Sequence, residues 1–390
     1  MQTYEDKRER IVSPMLLPPD SSIVASSKLA AVFNNKSESY KLFWFSGILK
    51  AISKGKSVIP FDEIINSMIT EAWYMVSEYH LNLGPTDTLE KLVTTALPES
   101  GLKPSAGEDE ILSFITSTSL ESVATYKRTL SLMVPYRFQA PFAPEVRGTT
   151  WNSSKAVISL MNENPDVIYH YDYSPALSRK IYIQDKWMVY LSANLGILQG
   201  WTAFHMIQYL QRRNPNIPGI SNKLSPPSER NLGKAKAFWK AVIEFNPVPN
   251  IYGDGLLSSS DISLDHFVPW SYVAHDELWN LVPTTRSLNS SKSNSLPNWE
   301  LFFPPLCNVE YMSYEAVWTD DKVHMVFDRC AQEHINSDEA RLKLYRPGLS
   351  REAFSQHLEE LILPSYKAAQ NVGFGEWVPT LTTLREEIIV

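Results

Sequence analysis

Residues 263–272 read SLDHFVPWSY, an apolar, β-prone run with Asp265 and His266 side by side at its centre. A strand that only buries side chains has no use for an acid next to an imidazole. Such a pair standing alone is more often a solvated acid beside a hydrogen-bonded core histidine than a site. Its neighbours change the reading. The run leads into an irregular stretch, SYVAHDELW (271–279). A second β-like run, NLVPTT (280–285), follows, and then a short polar segment, RSLNSSKSN (286–294), that reads as a helix ending before Pro297. Strand, loop, strand and helix therefore succeed one another within about forty residues.

Composition bounds the rest. The 390 residues are 44% hydrophobic and 20% charged, with 11 Trp and 18 Tyr, which describes a packed globular chain rather than a disordered one. The length allows two or three cores. No apolar run approaches the roughly 20 residues that cross a bilayer. The start, MQTYEDKRERIVSP, lacks the apolar core of a signal peptide. Cys307 and Cys330 form neither a CxxC pair nor a disulfide framework. Together these predict a cytoplasmic protein that does not meet a membrane.

The net charge of −7 argues against an overall basic footprint, but the charge is uneven. From Trp201 to Phe245, Arg212, Arg213, Lys223, Arg230, Lys234, Lys236 and Lys240 face only Glu229 and Glu244. From Ile251 to Glu300, Asp254, Asp261, Asp265, Asp276, Glu277 and Glu300 face only Arg286 and Lys292. A basic segment thus precedes an acidic one, and acids are what a divalent cation needs.

Helical spacing recurs elsewhere. In 40–55, Leu42, Phe45, Leu49 and Ile52 form an apolar stripe closed by Gly55; in 57–80, Phe61, Ile64, Ile65, Met68, Ile69 and Ala72 form another. Further helices are predicted at 107–118, 119–133, 186–212, 230–245, 308–335 and 350–372. Proline clusters at 135–144, 215–227 and 247–249 separate them. The expected fold is mainly α with a small embedded ββα unit. Its parts are an irregular lead-in (1–38), a helical N-terminal domain that engages substrate or partners (39–250), the ββα unit (251–300) and a helical C-terminal region packing on it (301–390). No Walker-type or GxGxxG loop is present, so neither ATP hydrolysis nor dinucleotide binding is indicated.

The set Asp265-His266, Pro269, Ser271, Asn280, Asn289, Lys292 and Pro297 resembles the HNH (ββα-metal) endonuclease motif, most closely that of RNA-guided CRISPR nucleases. The resemblance covers about 35 residues. It implies that His266 is a general base, that Asp265 and Asn289 hold magnesium or manganese, that Asn280 braces the loop backbone behind His266, and that Lys292 meets a substrate phosphate. An imidazole suits base work near neutral pH, and hard oxygens suit magnesium. Since neighbouring residues on an ideal strand point to opposite sides, Asp265 and His266 reach one site only at a strand end or distortion. Thr285 and Leu288 stand where some members carry zinc-binding cysteines, so no structural zinc is expected. His275 could approach substrate or simply hydrogen-bond its loop. Lys234, Lys236 and Lys240 are candidate nucleic-acid contacts. HYDY (170–173) and RCAQEH (329–334) read as local packing and a surface ion pair.

The expected activity is metal-dependent cleavage of DNA giving 5′-phosphate and 3′-hydroxyl ends. Over the whole chain, EAWYMVSEYHLNLGP (71–85) and INSDEARLKLYRPGLSREAF (335–354) resemble parts of bacterial defence-type HNH proteins. That resemblance implies an anti-phage role, alone or in a protein complex, with homo-oligomerisation open. The rival readings are an RNA-cleaving toxin and a non-catalytic scaffold around a vestigial HNH module.

Overall fold

The computed structural model describes residues 17–34, 38–144, 146, 154–226 and 230–380. The first sixteen residues of the expected lead-in lie outside this set. The chain divides into two compact units, one of residues 1–77 and 81–214, the other of residues 78–80 and 215–390.

The first unit contains α1 (Ser26–Ala30), α2 (Tyr40–Ser53), α3 (Phe61–Ser77), α4 (Thr88–Ser100), α5 (Glu108–Ser117), α6 (Glu121–Phe138), α7 (Lys155–Glu163), α8 (Asp185–Ala193) and α9 (Leu195–Arg213). Leu42, Phe43, Trp44, Phe45, Ile48, Leu49 and Ile52 leave α2 apolar on nearly every side, so it is buried against α3, α6, α8 and α9. α3 begins with Asp62 and Glu63, which favour a helix N-terminus, and buries the predicted stripe from Phe61 to Ala72. A three-stranded antiparallel sheet in the order β1-β3-β2, of β1 (Val58–Pro60), β2 (Tyr169–Tyr171) and β3 (Lys180–Ile183), completes this unit. Three-residue strands are too short to show a period, so the helical stretch expected over 57–80 runs through β1. The expected helix at 186–212 is two helices, broken at Asn194 (φ −113°, ψ 17°).

The second unit contains α10 (Gly233–Phe245), β4 (Ser263–His266), α11 (Trp270–Val273), β5 (Leu281–Thr284), α12 (Arg286–Lys292), β6 (Leu296–Pro297), α13 (Trp299–Thr319), α14 (Asp321–His334), α15 (Asp338–Leu344), α16 (Arg351–Asn371) and β7 (Glu376–Trp377). β4 and β5 pair antiparallel, with Asp265 opposite Val282 and His266 opposite Leu281. The helix expected at 230–245 within the N-terminal domain belongs to the second unit. In the structure α10 buries Ala235, Phe238, Trp239 and Val242, packs on α14, and ties to β5 through Trp239 Nε1, which donates to Leu281 O at 3.0 Å. The fold is mainly α, with a small ββα unit of β4, β5 and α12.

Behind that unit, β6 and β7 pair in parallel, and Trp377 Nε1 donates to Ser291 Oγ. Residues 78–80 are anchored in the same unit: Asn294 donates to the Glu78 carboxylate and His80 stacks on Phe374. Cys307 and Cys330 are buried and free. Among the described residues no helix is long and apolar enough to cross a membrane.

Candidate active site

β4 ends at His266, and its last two side chains leave on opposite faces. His266 is 5% exposed and both its ring nitrogens are engaged. Nε2 lies 2.8 Å from Asp276 Oδ1, and Nδ1 lies 3.1 Å from a guanidinium nitrogen of Arg230. An ionised carboxylate only accepts and a guanidinium only donates, so the partners fix the tautomer. Nε2 carries the proton, and Nδ1 holds the lone pair. Burial, with the nearby Arg230 charge, holds the imidazole below its ordinary pKa, and Asp276 only partly offsets this. The ring is therefore neutral at neutral pH, as a base must be.

Asp276 is itself held. His334, the last residue of α14, donates from Nδ1 to the Asp276 carbonyl at 2.8 Å. Burial would raise the Asp276 carboxyl, but the bond to His266 and the nearby Arg230 charge outweigh it and keep it below the usual range. The neighbouring Glu277 carboxylate accepts from the backbone and side-chain nitrogens of Asn336, at 3.0 and 2.8 Å. The loop reaches this position through Ala274, which adopts φ +55° where α11 stops. Gly219, at φ +62°, lets the backbone pass beside it; a Cβ there would stand 2.6 Å from Ala274 Cβ. Lys223, fully buried, donates to Tyr272 O at 2.6 Å and fixes α11 from below.

On the other face, Asp265 is 4% exposed and sealed by polar partners. Lys292 Nζ lies 3.1 and 3.0 Å from its two oxygens and also donates to His266 O at 2.8 Å. Tyr252 Oη donates to Asp265 Oδ2 at 2.8 Å. Lys292 is fully buried, and burial pushes its ammonium below the ordinary pKa although Asp265 opposes that shift. The lysine that the resemblance assigns to a substrate phosphate thus points inward, to Asp265.

Asn289 Nδ2 donates to Ser263 Oγ at 2.7 Å and to Leu264 O at 2.9 Å, docking α12 on β4. Its Oδ1 accepts no hydrogen bond from a described residue. Asn280, fully buried, clamps Val268 by a reciprocal pair, Val268 N to Oδ1 at 2.8 Å and Nδ2 to Val268 O at 2.9 Å. This fixes the chain just after His266. Thr285 caps α12 by accepting from Leu288 N, and Leu288 is in the core.

Residues 250–298 match the family model described as HNH endonuclease. The chain holds an HNH unit. No curated protein and no solved structure matches the chain. The HNH unit marks a nuclease, and such nucleases generally use a divalent metal.

The remaining candidates lie around it. His275 Nδ1 accepts from Glu277 N at 3.4 Å and its ring meets Trp279, so its described contacts are those of its own loop. Lys234 on α10 pairs with Glu333 of α14 at 2.7 Å. Lys236 and Lys240, one turn apart on another face of α10, make no ion pair among the described residues. Neither Asp276 nor Arg230 stands at a position that the motif spacing marks. Asp276 stands beside the histidine that was chosen, and Arg230 lies 36 positions before His266 with no spacing to mark it.

Three or more acid, histidine or cysteine side chains do not gather into a metal cage among the described residues. The donors that the resemblance assigns to a metal do not fit one as they stand. Asn289 offers an amide oxygen of the hard kind magnesium takes, but Lys292 holds both oxygens of the buried Asp265 and Tyr252 also holds one of them.

Proposed function

We propose that the HNH unit hydrolyses phosphodiester bonds of DNA with His266 as general base. The observation that carries this reading is the fixed tautomer of His266: a neutral ring whose only lone pair, on Nδ1, faces away from Asp276. Nδ1 takes a proton from the attacking water, whose oxygen bonds to phosphorus. The bond from phosphorus to O3′ breaks, and O3′ leaves to be protonated by solvent, giving 5′-phosphate and 3′-hydroxyl ends. Asp276 holds the ring in place and stabilises the imidazolium formed in that step. Asn280 keeps the backbone after His266 rigid, which preserves the aim of the ring. The magnesium or manganese expected of an HNH nuclease would need Lys292 to release Asp265 before that carboxylate and Asn289 could hold it. Lys292 supports the site from within by holding Asp265.

The basic residues Lys236 and Lys240 of α10 lie in the same compact unit and are the candidate track for the nucleic-acid backbone. The resemblance of 71–85 and 335–354 to defence-type proteins supports an anti-phage role for the chain, alone or with protein partners.

The test incubates purified protein with duplex DNA, single-stranded DNA and RNA, with magnesium or with chelator, beside His266→Ala. Metal-dependent DNA cleavage that disappears in the variant is the expected result. Cleavage of RNA alone would replace the DNA reading with an RNA-cleaving one. Cleavage that survives in His266→Ala would remove His266 as the base.

A further inference from the structure

The lone pair of His266 is not open. Arg230 occupies the hydrogen-bonding position on Nδ1, at 3.1 Å, where the attacking water must stand. Its guanidinium also lies over the Trp270 ring, 5.4 Å from the centroid, an arrangement that holds the arginine by stacking as well as by hydrogen bonding. The rest of the residue is exposed, just before α10. A guanidinium has five donors and no acceptor. Only one of its nitrogens is engaged by His266, and a neutral imidazole is a weak partner compared with a phosphate, which takes two such donors side by side.

We propose that Arg230 is a substrate-binding residue that closes His266 in the free protein and moves to a backbone phosphate when nucleic acid binds. The exchange couples two events. Arrival of a phosphodiester draws the guanidinium off Nδ1, and the vacated position admits the water that Nδ1 deprotonates. Water is then activated only beside a phosphate. Asp276 is unaffected by the exchange because it holds the opposite nitrogen. Trp270 gives the arginine a surface to slide on without losing its stacking. This inference rests on the nuclease reading above for the identity of the ligand, and it adds the residue that meets the phosphate.

The test uses the full chain and a fluorescently labelled duplex DNA in chelator, so that binding is read without cleavage. Arg230→Ala should bind about tenfold more weakly, and its dependence of log affinity on log salt should be shallower by about one phosphate contact. Arg230→Lys should recover the slope, since a lysine still meets a phosphate as a point charge. A second readout follows the ring itself. In ¹⁵N spectra with the His266 signal identified by His266→Ala, adding duplex DNA to the wild type should move Nδ1 toward its position in Arg230→Ala. An unchanged salt slope in Arg230→Ala, or an Nδ1 signal that ignores DNA, overturns the proposal. If the wild type cleaves DNA while either of those results holds, the nuclease reading stands and the role of Arg230 falls. If the wild type binds no duplex at low salt, both fall.

Discussion

Asp265 and His266 are adjacent in the chain, nearly equally buried, and set on opposite faces of one strand, yet their surroundings differ in kind. Asp265 is closed in by two side chains that are themselves buried, Lys292 and Tyr252. His266 is held by Asp276 and Arg230, which reach it from solvent-facing loops. One face is built to stay as it is. The other is built so that a partner can be exchanged. A short polar motif can therefore contain both a structural and a reactive half, and the residue types alone do not say which is which.

Four measurements would break or sharpen this contrast. The largest effect belongs to the reactive face: His266→Ala should lower the DNA cleavage rate by about 10²- to 10⁴-fold, the range of a lost general base, with the circular dichroism spectrum unchanged. A variant that unfolds instead would place His266 among the structural residues. Next comes the sealed face. Lys292→Met leaves the Asp265 carboxylate buried without its cation and should cost about 3–5 kcal/mol in urea unfolding. Pairing it with Asp265→Leu should recover most of that loss; no recovery would mean that Lys292 acts through something other than Asp265.

A smaller effect is expected from Asp276→Asn, about 10- to 100-fold in kcat with KM little changed, because the ring loses its orienting carboxylate. The pH profile gives the sign. Neutral His266 is the working form, and burial lowers its pKa, so activity should persist below the ordinary imidazole value of about 6.5 and fall only as pH drops through the lowered one. Asp276 raises that pKa, so Asp276→Asn should move the acid limb to still lower pH. A shift upward would contradict the assignment. The smallest effect lies on α10. Lys236→Gln with Lys240→Gln should flatten the salt dependence of DNA binding by about two contacts. Lys234→Gln should do less, since Glu333 already occupies that lysine. Slopes unchanged from the wild type in both variants would exclude this helix as the track.

The parts legible in the sequence were those carried by local order. Short β-prone runs located β4 and β5, and the sequence order of strand, loop, strand and helix located the ββα unit. Asn280 was read as a brace for the loop, and it does clamp Val268. What escaped was every partner supplied from a distance. Tyr252 comes from 13 residues upstream, Arg230 from 36, and His334 from 58 beyond Asp276. None lies on a period or a motif spacing. Within VAHDELW the histidine drew notice as a candidate, but the positive φ of Ala274 carries the chain so that Asp276, one position on, faces His266. Lys292 was assigned to the substrate because it lies one turn after Asn289, but α12 lies against β4 and brings that side chain to Asp265.

The parallel pairing of β6 with β7 has a consequence for the order in which the protein is made. Trp377 hydrogen-bonds to Ser291 across 86 positions and packs edge-on against Tyr252, the residue that holds Asp265. A chain emerging from the ribosome exposes Asp265, His266 and α12 long before the strand that backs them. The sealed face that carries Asp265 is therefore finished late in synthesis, after the helices from α13 to α16 are available to fold. A truncated or stalled product would carry the full motif yet lack the support that makes it a site.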